Sequence, residues 1–201
     1  MKMLEGVADG KLYIDGQLAP TGLTKYGDDY YYSESGKIIV DRKYFAAKSN
    51  CEFAAKEYYY FGVDGKMLEG VVDGYLYISG QKAPTGLTKY GDKYYYSESG
   101  KLATGKCYAK VSNCDLEAGK YYYFDADGTF CEGVYTEEDG VYYYEAGKRV
   151  FAGLVEVDGS FYYAGAGGKC LRNTKQLCLK SSCVLPVNRE YTFGADGKIV
   201  K

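Results

Sequence analysis

Short apolar runs alternate with Gly-centred polar breaks along the whole chain. The runs are four to six residues long and rich in Tyr, Val, Phe and Ile, a pattern that predicts strands. No window sustains a helical period; the FAAKE stretch around Ala54 comes nearest and is too short. Eight Asp-Gly pairs occur, beginning at Asp9, Asp15, Asp64, Asp73, Asp127, Asp139, Asp158 and Asp196. Asp-Gly between apolar runs predicts a hairpin turn, because a type I′ turn needs positive φ at both central residues. Strand alternation puts the outer pair of a Tyr triplet on one face and the middle residue on the other, so Tyr94 and Tyr96 oppose Tyr95.

The pattern is also a tandem repeat. Gly16–Lys37 returns as Gly80–Lys101 with two substitutions in 22 positions. Three long units follow from it, residues 1–65, 66–128 and 129–197, with residues 198–201 opening a further one. Each unit has three strand cores: Tyr13, Tyr31 and Tyr59; Tyr77, Tyr95 and Tyr122; Tyr143, Tyr162 and Thr192. An isolated hairpin is barely stable in water, so the hairpins must stack, each Tyr ring covering roughly 150–250 Å². The expected fold is all-β, an elongated β-solenoid of tandem β-hairpins. Lys198-Ile199-Val200-Lys201 stands in the phase of Lys2-Met3-Leu4-Glu5, and Met1 stands where Gly precedes the other units. That phase fits either a piece of a longer array or a subunit whose ends match.

Composition narrows the function. The 201 residues include 26 Tyr, no Trp and no His, with a net charge of −2. The balance offers no basic stripe for nucleic acid and no polybasic patch for a membrane surface. No apolar run approaches the ~18 residues of a membrane span. Without His, Ser-His-Asp, Cys-His and His-metal sites are excluded within the chain. The acidic clusters, Asp28-Asp29, Glu137-Glu138-Asp139 and Asp125/Asp127, fall in or beside expected turns. Asp125-Ala126-Asp127-Gly128 shares part of a calcium-loop pattern but has Tyr123 and Val134 at the first and last ligand positions. No catalytic residue, metal site or cofactor is therefore expected.

Seven cysteines occur without a CxxC motif. Cys51, Cys114 and Cys183 recur in phase, within Ser49-Asn50-Cys51, Ser112-Asn113-Cys114 and Ser181-Ser182-Cys183. Cys107–Cys114 and Cys178–Cys183 are expected as local disulfides, with Cys131 and Cys170 as further candidates and Cys51 unpaired or intermolecular. That reading implies an extracellular setting. The other reading is a set of small buried hydrophobes in a reducing one.

Gly27–Lys37, Gly91–Lys101, Lys120–Thr129, Gly140–Lys148 and Gly159–Lys169 alternate aromatic strands with TGL- or EGV-type connectors. In this the chain resembles the cell-wall-binding, choline-binding and glucan-binding repeats of bacterial surface proteins, and the C-terminal repeats of large clostridial toxins. The resemblance covers nearly the whole chain and implies a β-solenoid with a non-catalytic binding role. It has two departures. Where the choline-binding branch has Trp after Thr-Gly, this chain has Leu23, Leu87 and Leu154, with Val7, Val71 and Val134 at the alternate steps. The third step of each unit is also lengthened and carries the in-phase cysteine. Exposed tyrosines are the candidate binding surface: Tyr30, Tyr32, Tyr58, Tyr60, Tyr94, Tyr96, Tyr121, Tyr123, Tyr142 and Tyr144. The expected role is a non-enzymatic extracellular module for adhesion to a polysaccharide or cell-surface polymer. The alternative is a structural subunit of a secreted fibre or adhesive, joined to other copies end to end and cross-linked through cysteines.

Overall fold

Two-residue turns too short for anything but an antiparallel reversal set the architecture. The computed structural model describes residues 3–200, which are all-β apart from one short 3-10 turn at Ala166–Gly168. Met1, Lys2 and Lys201 lie outside the described residues, and with them part of the matching end phases. The chain forms two compact units, residues 1–90 with 97–102 and residues 91–96 with 103–201, a division that runs across the sequence-repeat boundaries. Each is a run of tandem β-hairpins. The first unit pairs Gly6–Ala8 with Lys11–Ile14, Gly22–Tyr26 with Asp29–Glu34, Arg42–Ala46 with Glu57–Phe61, and Gly70–Val72 with Tyr75–Ile78. The second pairs Gly105–Ala109 with Lys120–Phe124, Gly133–Glu137 with Gly140–Glu145, Gly153–Val157 with Ser160–Ala164, and Thr174–Cys178 with Arg189–Phe193.

The aromatic cores fall on the second strand of each hairpin, with one correction. Tyr59 pairs with Tyr44 and Tyr122 with Cys107, but in the third long hairpin the equivalent pair is Gln176 with Tyr191. Tyr191, not Thr192, holds the equivalent position there, half-buried beside the buried Phe193. A hydroxyl fixes the register: Tyr59, Tyr122 and Tyr191 donate to the carbonyls of Ala54, Glu117 and Pro186 at 2.8, 2.9 and 2.9 Å. Each such bond ties a lengthened loop to its own strand.

The Asp-Gly pairs divide into three groups. At Asp9, Asp15, Asp73 and Asp158 both residues have positive φ, as a type I′ turn requires. At Asp64, Asp127 and Asp196 only the Gly does. There the Asp carboxylate instead accepts the backbone N–H two residues on, from Lys66, Thr129 and Lys198 at 3.0, 2.9 and 3.1 Å. At Asp139 the loop shifts by one residue, because Gly140 already pairs with Glu137. Asp127 is thus an ordinary Asx turn, and no group of His, Cys, Asp or Glu among the described residues could hold a metal ion. Nor is any helix there long and apolar enough to cross a membrane.

The first and third lengthened steps fold back on the preceding hairpin. Leu23 N–H donates to Lys48 O at 2.9 Å and Asn50 N–H to Leu23 O at 2.7 Å, a parallel bridge to Ser49. Leu154 makes the same pair of bonds with Lys180 and Ser182, both at 2.8 Å. Leu23 and Leu154 are fully buried beneath these segments. The position after Thr-Gly is therefore core in this chain, which accounts for Leu rather than Trp.

The in-phase cysteines close tight turns within the same segments. The N–H groups of Cys51, Cys114 and Cys183 donate to Ser49, Ser112 and Ser181 Oγ at 3.4, 3.4 and 3.3 Å. None of the seven cysteines forms a disulfide, which corrects the expected Cys107–Cys114 and Cys178–Cys183 pairs. Cys178 is fully buried against Leu154 and Phe193, and its thiol faces Gln176 O at 3.5 Å. Cys131 and Cys170 lie in two other apolar clusters, and burial pushes both thiols up to about 11. These cysteines act as small apolar side chains.

Two glycines of one hairpin separate conformational strain from crowding. Gly159 has φ +70° with open space around it, whereas a Cβ on Gly153, φ +77°, would press on the Lys180 carbonyl. Gly159→Ala is expected to cost about 1 kcal/mol, the left-handed penalty alone. Gly153→Ala is expected to cost at least about 3 kcal/mol, because the docked segment must also move. Urea unfolding measures both; equal losses would show that the segment is not held as described.

Candidate functional site

One groove occurs twice, once in each compact unit, at equivalent positions of the repeat. In the first unit Tyr30, from the strand Asp29–Glu34, meets Phe53 edge-on at 4.7 Å between ring centroids. Tyr30, Phe53, Met67, Asp28, Asp29, Glu69 and Ser79 line a groove of about 290 Å³. In the second unit Tyr94 stacks on Phe130 at 5.5 Å, and Phe130 on Tyr122 at 5.3 Å. The matching groove of about 320 Å³ is lined by Tyr94, Phe130, Asp92, Lys93, Glu132 and Ala146.

Acidic residues hold both grooves open. The Tyr30 hydroxyl donates to Glu52, and the Tyr94 hydroxyl to both Asp115 carboxylate oxygens at 3.0 and 3.1 Å. The bond to Glu52 raises the Tyr30 phenol and lowers the Glu52 carboxyl. Glu52 and Asp115 are the residues directly after the in-phase cysteines, so the lengthened step supplies the acid that orients the ring. Glu69 accepts the Ser79 N–H at 2.6 Å and Glu132 the Ala146 N–H at 2.6 Å, which fixes the far wall. The third copy lacks this site: Phe161 stands at the Tyr30 position and Val184 at the Glu52 position. Hydroxyl and carboxylate are lost together.

A different cleft of about 280 Å³ lies in the second unit, lined by Lys106, Tyr123, Asp125, Tyr135, Glu137 and Tyr144 among others. Tyr144 meets Tyr123 and Tyr135 edge-on at 5.1 and 5.6 Å. The Tyr144 hydroxyl donates to Glu137, which also pairs with Arg149. Arg149 Nε donates to Tyr144 Oη at 2.9 Å.

The ten sequence-predicted tyrosines are distributed unevenly over these features. Tyr30 and Tyr94 form the repeated grooves, and Tyr123 and Tyr144 line the cleft. Tyr32, Tyr96, Tyr142 and Tyr144 are buried. Tyr58 and Tyr121 are the most open, at 52% and 57% exposure, against Phe45 and Tyr108 at 5.1 Å each. Tyr60 is half-buried against Tyr77 at 5.3 Å. Sequence reasoning missed Phe53, Phe130, Glu52, Asp115, Tyr135 and Arg149. Only the acid after Cys51 and Cys114 left a readable signal, a carboxylate in phase in two units and Val184 in the third.

Burial of phenols sets an alkaline limit on stability. Burial pushes the Tyr143 phenol from 10.0 up to about 12, and Tyr144 higher still through burial and its bond to Glu137. The folded chain holds these protons more tightly than the unfolded chain. Both contributions are full below pH 10; that of Tyr143 is lost as pH rises through about 12, and that of Tyr144 at higher pH. The urea midpoint is expected to fall over that window, and less steeply in Tyr143→Phe. A midpoint independent of pH there would contradict the burial.

No family model matches the chain. A glucosyltransferase-S of Streptococcus mutans serotype c is 28% identical over 166 residues, covering 76% of this chain and 10% of that protein. Choline binding protein F of Streptococcus pneumoniae matches in structure at 22% identity and a TM-score of 0.42, covering 95% of this chain and 61% of that one. The choline-binding domain of CbpL from the same organism matches at 20% identity and a TM-score of 0.42, over 91% and 98%. The chain spans about a tenth of the curated relative it matches.

Proposed function

We propose that this chain is a non-enzymatic carbohydrate-binding repeat module, acting outside the cell on a polysaccharide or cell-surface polymer. The observation that carries this reading is the recurrence of one aromatic, acid-rimmed groove, around Tyr30 and around Tyr94. A sugar ring presents an apolar C–H face and a rim of hydroxyls. Tyr30 or Tyr94 would take the face, and Asp28, Asp29 and Glu69, or Asp92 and Glu132, would accept hydroxyl protons. Two weak sites on one chain gain avidity on a polymer that offers many copies of the ligand. The similarity to a segment of a glucosyltransferase makes a glucan the first polymer to try. Adhesion to a surface would follow if that polymer is surface-bound.

Affinity electrophoresis through gels containing dextran or cell-wall polysaccharide tests the reading. The chain is expected to be retarded by at least one polymer. Tyr30→Ala and Tyr94→Ala should each weaken binding several-fold, and the double variant by more than about tenfold, as loss of bivalency requires. Unchanged mobility of the folded chain in every polymer would reject it.

A further inference from the structure

Two tyrosine cages in this chain already hold a cation, supplied by the chain itself. In the second unit the Arg149 guanidinium lies 3.5 Å from the Tyr142 ring centroid, 4.7 Å from Tyr123 and 5.7 Å from Tyr144. In the first unit Lys82 Nζ lies 3.8 Å from Tyr75 and 5.5 Å from Tyr60, whose ring packs on Tyr77. The two sites are repeat-related. Tyr60 and Tyr123 hold the same place in the long hairpins, and Lys82 and Arg149 each end the short strand after the next hairpin, Gln81–Lys82 and Lys148–Arg149. In the first copy the equivalent strand is Gln17–Leu18, and that hairpin carries Lys11 where the others have Tyr75 and Tyr142. Cation and aromatic faces are present together or absent together.

We infer that Lys82 and Arg149 are tethered cations that fill these cages and thereby set specificity, keeping soluble organic cations out. A cationic group over several aromatic faces is the arrangement that recognises quaternary ammonium ions in other sites. A tethered side chain occupies such a cage at an effective concentration that a dilute ligand does not match. The cage around Arg149 has a second attraction for a cation in Glu137, whose carboxylate pairs with the guanidinium. Asp139 accepts from the Tyr142 hydroxyl at 2.7 Å and adds negative charge at the rim. Lys43 and Lys106 stand 5.7 and 5.8 Å from Tyr60 and Tyr123, so an emptied cage would hold an added cation only modestly. This inference is independent of the carbohydrate reading, which uses Tyr30 and Tyr94.

The test is titration of the whole chain with tetramethylammonium chloride, read through tyrosine ring resonances and controlled with sodium chloride. The wild type is expected to give no saturable shift. Lys82→Ala and Arg149→Ala should each gain one, with half-saturation at least about tenfold lower than any wild-type response. Arg149→Lys, which keeps a cation, should stay closed. A wild-type chain that binds tetramethylammonium as well as the variants would overturn the proposal, as would folded variants that show no response. Should Arg149→Ala not fold, Lys82→Ala and the wild-type Arg149 resonances still decide. The Arg149 Hδ protons are expected well upfield through tyrosine ring currents, and random-coil positions for them would reject the cage.

Discussion

Every hairpin here is too small to be stable alone, and that single constraint shapes the chain. A two-stranded ribbon has two faces and two open edges, and water competes for all of them. The lengthened third step is the clearest response. By laying Lys48–Asn50 along Leu23, and Lys180–Ser182 along Leu154, the chain pairs an edge that would otherwise face solvent and buries a leucine completely. The Ser-x-Cys turn and the hydroxyl of Tyr59, Tyr122 or Tyr191 then hold that segment in place. An insertion that looks like a loop in the sequence is part of the fold.

The same segment builds the groove. Glu52 follows Cys51, so docking on Leu23 brings it beside Tyr30; Asp115, which follows Cys114, makes the equivalent contact with Tyr94. Orientation of the groove tyrosine thus depends on how the lengthened segment is held. The third copy shows the coupling from the other side: Val184 follows Cys183, Phe161 has no hydroxyl to donate, and the docking bonds of Leu154 persist without a site. The docking of the segment is separable from its contribution to the groove, as expected when a repeat keeps its core and varies its surface.

Much of this was legible in the sequence. The hairpins, their aromatic second strands and the in-phase long step follow from Tyr triplets, Gly breaks and the repeat. The cysteines were misread because spacing alone cannot distinguish two thiols that could bond from two that pack; in the structure none forms a disulfide, and Cys178 packs against Phe193. Thr192 was misassigned for a related reason. Register is set by which hydroxyl reaches the loop carbonyl, and a one-residue slip reverses every side chain. Half of the Asp-Gly turns differ from the type I′ expectation because a nearby N–H captures the carboxylate or the ladder claims the glycine first.

The cation cages were not legible at all, and the reason bears on function. A Lys or Arg at the end of a two-residue strand has no pattern in the sequence to distinguish it from a solvated charge. Only the pairing of each short strand with its neighbour, Lys82 opposite Tyr77 and Arg149 opposite Tyr144, brings Lys82 onto Tyr75 and Arg149 onto Tyr142. Once there, each cation turns an aromatic cluster that could attract a charged ligand into one that is already satisfied. The grooves at Tyr30 and Tyr94 differ in kind. Their rings are held by acids at the hydroxyl while carboxylates line the walls, which suits a neutral ligand rich in donors better than a cation that needs several faces at once. Selectivity between those two ligand classes would then lie in four charged side chains, Glu52, Asp115, Lys82 and Arg149, set on a scaffold common to both.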